Sequence, residues 1–345
     1  IKELGDKWNA GIHDKFKRFE PIKAEYVTQP EIISYEDDDV RVRIINQKEL
    51  KAEVESAGQT MKWGQYLRGP DIYFKVLEEC AEKFIPLKAV VNLRRGTTTG
   101  INEFFYLTED KIEHWGIEKE YLKPVIKSPK DCDGIILKKK HLKWFAFLCH
   151  KNKSEMRGTN ALRYIKWGER QKTDKKREWP EVESVKGRGN WYELPKRKPG
   201  KLLLPMITGD SLRCIFNKCN AYVDHNLFEV ISKDKKIIAA LGLYLNSATA
   251  FLNRELMGRA NLGDGALKVE GIDWERMLVP QKDILLALSE KLQDKFEALC
   301  KRSIKNIKTE ASQKDRVEFE RRILEVMGLS EQFSKDILSA IVELV

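Results

Sequence analysis

The sequence predicts an α+β fold in which a β-rich middle is flanked by helices and followed by a helical C-terminal segment. Two observations predict it. Between Leu87 and Pro280, short apolar runs with β-branched or aromatic content alternate with glycine, proline and charged turns, as short strands require. After Pro280, apolar residues recur at helical spacing in an otherwise charged chain. With 345 residues, 42% hydrophobic and 9% aromatic, the chain can bury a sizeable core, and its 34% of charged residues coat that core rather than mark a disordered tail.

The elements follow in order. Leu4, Trp8, Ile12 and Phe16 recur at roughly helical spacing, and Val40, Val42, Ile44 and Ile45 read as a strand. Residues 63–84 read as one or two helices about a break at Gly69 and Pro70. Strands are expected within 89–93, 103–107, 134–137, 202–207 and 221–230. A helix over 236–256 places Ile238, Leu241, Leu245, Ala248 and Leu252 on one face. Ile284, Leu285, Leu288, Leu292, Phe296 and Leu299 then form the stripe of a long helix, and a second helix covers about 314–327. Gly328 is placed to terminate it, and Ser330 to cap a third helix that reaches Val345. The resulting division is 1–62, 63–280 and 281–345.

The formal net charge is +10, and its distribution says more than its size. Between Lys138 and Lys201 there are 20 Lys or Arg against 7 Asp or Glu, an excess of +13, so the rest of the chain sums to −3. Such a concentrated excess is the footprint of a polyanion. Arg157, Thr159, Arg163, Arg188, Lys196, Arg197 and Lys198 are its candidate phosphate contacts. The interleaved Trp144, Tyr164, Trp167, Trp179, Trp191 and Tyr192 are assigned for the most part to a core beneath the charges.

Other chemistries find less support. Cys80, Cys132, Cys149, Cys214, Cys219 and Cys300 are scattered and form no Cys-x-x-Cys pair, so buried reduced thiols are expected and no metal site is assigned. His225, between Asp224 and Asn226, reads as a structural histidine in a turn. No strand carries an acid followed by Glu-x-Lys as a nuclease would. No apolar stretch approaches the length of a membrane span, and a cytoplasmic protein without a membrane partner is the simplest expectation.

Two loops stand out. In residues 94–100, two arginines suited to forking onto phosphate or guanine precede glycines that free the backbone and three threonine hydroxyls. The bland reading is a hairpin turn. In the second, Asn261, Gly263, Asp264 and Gly265 lie between Arg259 and Lys268, where spaced glycines present backbone donors, and the bland reading is a helix terminator with a tight turn.

The run RRGTTTGINEFF, residues 94–105, resembles the Gly-x-x-Thr-Gly loop and aromatic segment near the start of specificity domains in Taq-type adenine-specific DNA methyltransferases. The block LNSATAFLNRELMGRANLGDGALKVEGIDWERMLVP, residues 245–280, resembles the helix, glycine loop and strand that end those domains. FERRILEVMGLSEQFSKDILSAIVEL, residues 319–344, is similar to their helical ending.

The resemblance implies a DNA target-recognition domain over 63–280, with 1–62 as a linker or the remnant of a methylase domain. It implies duplex DNA and a methylase domain or subunit as partners. Arg94, Arg95, Thr97, Thr98, Thr99, Asn102, Arg259, Asn261 and Lys268 join the basic segment as candidate DNA contacts. The family's Asn/Asp-Pro-Pro-aromatic motif, which holds a flipped base, is missing, since the chain has no Pro-Pro pair. The expectation is therefore a fragment with no catalytic residues and no cofactor of its own, and with S-adenosylmethionine bound elsewhere in the intact enzyme. A first residue that is Ile1 rather than methionine fits that expectation. The rivals are a free-standing specificity subunit, which usually carries two recognition units, and a nuclease or RNA-modifying enzyme using the same basic surface.

Overall fold

Gly69 and Pro70 end one helix and start the next, because the extended backbone at Pro70 (φ −69°, ψ 156°) cannot continue α1 (Gly64–Arg68) and serves as the N-cap of α2 (Asp71–Glu79). The computed structural model describes residues 32–36, 41–48, 50–51, 63–259 and 267–345. Before α1, β1 (Ile32–Glu36) and β2 (Arg41–Ile45) pair antiparallel, so the expected strand is present from Arg41. Val40, the helix expected around Leu4 to Phe16 and the loop holding Asn261 lie outside the described residues.

Short strands follow: β3 (Phe84–Pro86), β4 (Asn92–Arg95), β5 (Tyr106–Leu107), β6 (Leu122–Ile126), β7 (Trp144–Phe147), β8 (Leu202–Pro205), β9 (Ile207–Thr208), β10 (Ile215–Phe216), β11 (Tyr222–Val223), β12 (Leu227–Ile231), β13 (Leu267–Lys268) and β14 (Leu278–Pro280). One antiparallel sheet has the order β10-β8-β12-β4. A second has the order β11-β6-β7-β5, antiparallel except for the β11–β6 pair. β13 pairs with β9, and β14 with β3. The chain passes from the second sheet to the first through the turn Asp224–Asn226, between β11 and β12.

The helices between and after these strands are α3 (Asn102–Phe105), α4 (Glu109–Trp115), α5 (Asn160–Gly168), α6 (Glu183–Lys186), α7 (Lys235–Tyr244), α8 (Ala248–Met257), α9 (Gly271–Arg276), α10 (Lys282–Cys300), α11 (Ile307–Glu310), α12 (Lys314–Val326) and α13 (Glu331–Leu344). The α+β class stands, but the middle of the chain is mixed rather than mainly β. Its strands run two to five residues, whereas α2, α5, α7 and α8 run nine or ten.

Several expected elements change form. Residues 103–107 are α3 followed by β5 rather than one strand. All of Phe104 to Leu107 are buried, and the carbonyl of Phe104 accepts from the Tyr164 hydroxyl (2.8 Å) rather than from a neighbouring strand. Residues 134–137 make only isolated bridges, Gly134 to Ser303 and Ile136 to Phe216. The helix expected over 236–256 breaks into α7 and α8. The Asn246 amide turns back to Gly242 O (2.7 Å) and clamps both backbone groups of Cys214, while Ser247 caps α8 through Ala250 N.

The largest core joins α2, the first sheet, α7, α8, α10, α12 and α13, so the C-terminal helices pack on the same apolar mass as the start of the described chain. The stripe Leu285, Leu288, Leu292, Phe296 and Leu299 is buried, with Ile284 half-buried. Gly328 (φ +80°) follows α12 as expected, and Ser330 stands at the N-cap of α13, although its side chain makes no capping bond. A buried ionic network ties this end together. Fully buried Arg316 donates to Glu310 (3.3 Å), Glu320 (3.2 Å) and the Asn246 carbonyl (2.5 Å), and Arg302 forks onto Glu310 and Asp315.

A second core, rich in aromatics, occupies residues 101–194 and is completed by Tyr222. Phe104 stacks on Tyr164 at 4.8 Å, with Phe147, Trp179 and Trp191 around it. Among the described residues no helix is long and apolar enough to cross a membrane.

Candidate nucleic-acid interface

After β4 the chain enters the arginine–threonine loop at the junction of the two sheets. Gly96 N donates to Leu227 O (2.8 Å), Thr97 N to Val223 O (2.7 Å) and His225 N to Thr97 O (3.1 Å), which locks the loop against the Asp224–Asn226 turn. The glycines serve this fit. A Cβ on Gly96 would collide with the Asp224 carbonyl oxygen, and Gly100 combines a left-handed φ of +81° with close approach to Ser184.

Arg94 stands opposite Glu229 in the β4–β12 register. Its Nε and Nη2 donate to the two Glu229 carboxylate oxygens (3.0 and 3.1 Å), and Nη2 also donates to Lys198 O (2.7 Å). Glu229 is 1% exposed and accepts in addition from Gly200 N (2.7 Å), with Arg197 at 3.5 Å. One edge of the Arg94 fork is therefore engaged by a carboxylate inside the protein, while the side chain stays 34% exposed.

Arg197 donates to Arg95 O (3.0 Å) and to the Thr97 hydroxyl. Arg188 donates to Thr99 O (2.8 Å), Thr98 O (3.2 Å) and Glu193 O (3.1 Å) above the Phe105 ring, and burial lowers its pKa from the ordinary guanidinium value. Both arginines bind the 188–198 segment onto the loop. Thr97 and Thr99 are buried, and the Thr99 hydroxyl donates to the Asn102 side chain.

What remains facing solvent is narrower than the composition implies. Arg95, Thr98, Asn102, Lys196 and Lys198 are exposed. Arg95 donates from Nε to His225 O (3.2 Å) and from Nη2 to Met206 Sδ (3.9 Å). Lys196 and Lys198 have no ion-pair partner among the described residues. His225 is partly exposed beside the buried Asp224 carboxylate (3.1 Å), which also accepts from the Tyr106 hydroxyl and Asn226 N. Burial, reinforced by the charge of Asp224, pushes the Tyr106 phenol far above its ordinary value. Composition had offered no sign of either buried acid.

Met206 links the residue after β13 to the Asp224–Asn226 turn, since Met206 N donates to Asn226 O (3.0 Å) and Val269 N to Met206 O (2.8 Å). Arg259 and Lys268 exchange backbone bonds (2.8 and 2.9 Å), and Lys268 pairs with Glu270 (2.9 Å). Asn261 lies outside the described residues. Among the described residues, no hydrogen bond joins Arg157, Thr159 or Arg163 to the arginine–threonine loop. Thr159 caps α5, accepting from Leu162 N (3.1 Å) and donating to Met156 O (2.8 Å), and Arg163 donates to Asn160.

The basic segment splits likewise. Lys151, Lys153, Lys172, Arg177 and Lys186 pair with carboxylates, and Tyr164, Trp179, Trp191 and Tyr192 are core as expected. All six cysteines are free, four of them buried, and burial pushes the Cys214 thiol up to about 12.

Residues 60–317 match the family model described as the C-terminal domain of the type II methyltransferase M.Eco57I. The type II methyltransferase M.AccI of Acinetobacter calcoaceticus is 28% identical over 196 residues, which are 54% of this chain and 33% of that protein. The chain thus spans about a third of the length of this curated relative. Among solved structures, the crystal structure of the type IIG restriction endonuclease BpuSI aligns with a TM-score of 0.55 at 15% identity, over 88% of this chain and 36% of that one. The likeness is one of fold. The type IIL restriction-modification enzyme MmeI in complex with DNA aligns at 0.44 and 12% identity, over 92% and 39%.

Proposed function

Because the chain belongs to the family of the M.Eco57I C-terminal domain and is related to the methyltransferases of restriction-modification systems, we propose that it recognises a duplex DNA sequence for a methylase domain. The observation that carries this reading is the double turn at the sheet junction, where Gly96 and Thr97 are bonded to Leu227, Val223 and His225 while Arg95, Thr98, Asn102, Lys196 and Lys198 stay exposed. A reading head needs that combination. Rigid backbone fixes the register, an exposed guanidinium can meet two acceptors of guanine, and lysines hold phosphates without reading sequence.

In this account residues 63–280 recognise DNA, 281–345 brace them, and the segment before 63 leads from the methylase domain. The methylated base is an adenine flipped out of the stack, and S-adenosylmethionine belongs to the catalytic domain. The turn between β4 and α3 does not fit that cofactor. It spends its Gly96 and Thr97 amides on Leu227 and Val223, and Ser184 closes on Gly100.

Selection of bound sequences from a random duplex pool tests the reading. A defined consensus is expected for the chain, with discrimination relaxed at one position in Arg95→Ala. A pool that shows no enrichment after repeated rounds would refute it.

A further inference from the structure

One cavity lies away from the reading head, at the opposite edge of the first sheet. It is about 210 Å³ in volume and is lined by Lys138, Lys140, His141 and Asp133 on one side and by Lys301 and Ser303, just beyond α10, on the other. Its walls are anchored. On the outer side of β10, Leu137 N donates to Phe216 O (3.0 Å) and Phe216 N to Ile135 O (2.8 Å), and Ile304 N donates to Asp133 O (2.8 Å). β10 is three strand spacings from β4, roughly 15 Å at about 4.8 Å each.

The charge in this cavity is not balanced. Asp133, the carboxylate on the wall, accepts from the Ser303 hydroxyl (2.7 Å) with His141 Nε2 3.1 Å away, and the Ser303 bond holds it below the usual carboxylate range. His141 Nδ1 accepts from Lys138 N (3.1 Å), which leaves Nε2 as the donor of the neutral ring. Arg302, also on the wall, is spent on Glu310 (2.6 Å) and Asp315 (2.7 Å). Lys138, Lys140 and Lys301 have no carboxylate within ion-pair distance among the described residues. Three lysines against one carboxylate thus line a space below the ~300–1,000 Å³ of drug-sized pockets, and the net positive charge and small volume suit one tetrahedral oxyanion rather than a nucleotide.

We propose that this cavity binds a single phosphate group, either free phosphate or one backbone phosphate of duplex DNA flanking the reading head. The second source rests on the proposed DNA recognition; the first does not. Backbone phosphates seated here would set orientation on the duplex without carrying sequence information.

The test titrates inorganic phosphate into the chain at constant ionic strength, following backbone amide resonances, with the triple variant Lys138→Glu, Lys140→Glu, Lys301→Glu beside it. Saturable shifts confined to residues 133–141 and 300–303, lost in the variant, are expected. A variant with all three lysines changed to Gln, and a thermal unfolding midpoint for each protein, separate loss of charge from loss of fold. Absence of saturable shifts, or shifts unchanged in both folded variants, would overturn the site. Duplex binding then identifies the source. If the variants weaken it and lower its salt slope by about 0.9 per lost phosphate contact, the ligand is DNA backbone. If duplex binding is unchanged, or the chain binds no duplex while phosphate still binds, the ligand is free phosphate.

Discussion

Arg94 and Arg95 are sequence neighbours with opposite expected effects, and alanine at each separates stability from recognition. Arg94 makes two charge-assisted bonds to Glu229, a carboxylate 1% exposed. Such bonds contribute about 1.5–3 kcal/mol each, and stripping the partner from a buried charge costs about 3–5 kcal/mol. Two features reduce this. The Arg94 side chain is 34% exposed, and Glu229 retains Gly200 N and the nearby Arg197. Arg94→Ala should therefore destabilise the chain by about 2–3 kcal/mol and leave the selected DNA sequence unchanged. Arg95→Ala, at an exposed position, should change stability by no more than about 0.5 kcal/mol. It should weaken binding to the preferred duplex by about 1–3 kcal/mol and relax one position. Urea denaturation and duplex titration measure the two quantities. A stable Arg94→Ala with altered sequence preference would refute the reasoning, since it would mean that the Glu229 pair opens on DNA.

Three further outcomes follow from other parts of the fold. Gly96→Ala should destabilise by about 1–3 kcal/mol or more, because its Cβ meets the Asp224 carbonyl oxygen; an unchanged urea midpoint would show that the loop can move away. Thr159→Ala should cost about 1 kcal/mol as a lost N-cap and leave duplex affinity unaltered, and a selective loss of affinity in titration would show that Thr159 touches DNA. Burial pushes the Glu320 carboxyl from 4.5 up to about 7, so the folded chain holds this proton more tightly than the unfolded one. Stability should then fall as pH rises from about 4.5 to about 7 and level off above it, and the fall should be smaller in Glu320→Gln; an identical slope in denaturation series would contradict this.

The long helix after Pro280 was legible because burial at every third or fourth position leaves a period that a charged background displays, and Leu285 to Leu299 keep that period in the structure. Phe104 to Leu107 were not, because four consecutive buried residues carry no period and suit strand or helix equally. The α7–α8 break had a local sign in the polar pair Asn246–Ser247 within an apolar stretch, but its clamp on Cys214 depends on a partner 32 residues away. The interface divides in the same way. Residue types suited to DNA could be read in RRGTTTG, whereas the carboxylate that engages Arg94 lies 135 residues later. Glu229, the lone acid in the strand LFEVI, was the available clue, since a carboxylate in a buried strand needs a cation opposite. Counting charge between Lys138 and Lys201 could not separate arginines that staple the loop from lysines left exposed, because pairing is decided by the tertiary fold.

The central claim, that this chain reads duplex DNA sequence, is tested most directly by measuring its affinity for the selected duplex and for a scrambled one across a salt series. The account predicts that both affinities fall with salt, by about 0.9 in log affinity per log salt for each phosphate neutralised, with the selected duplex held about 10³-fold or more tighter throughout. Equal affinity for the two duplexes at every salt concentration would contradict sequence reading, and no measurable binding to either would contradict DNA recognition itself.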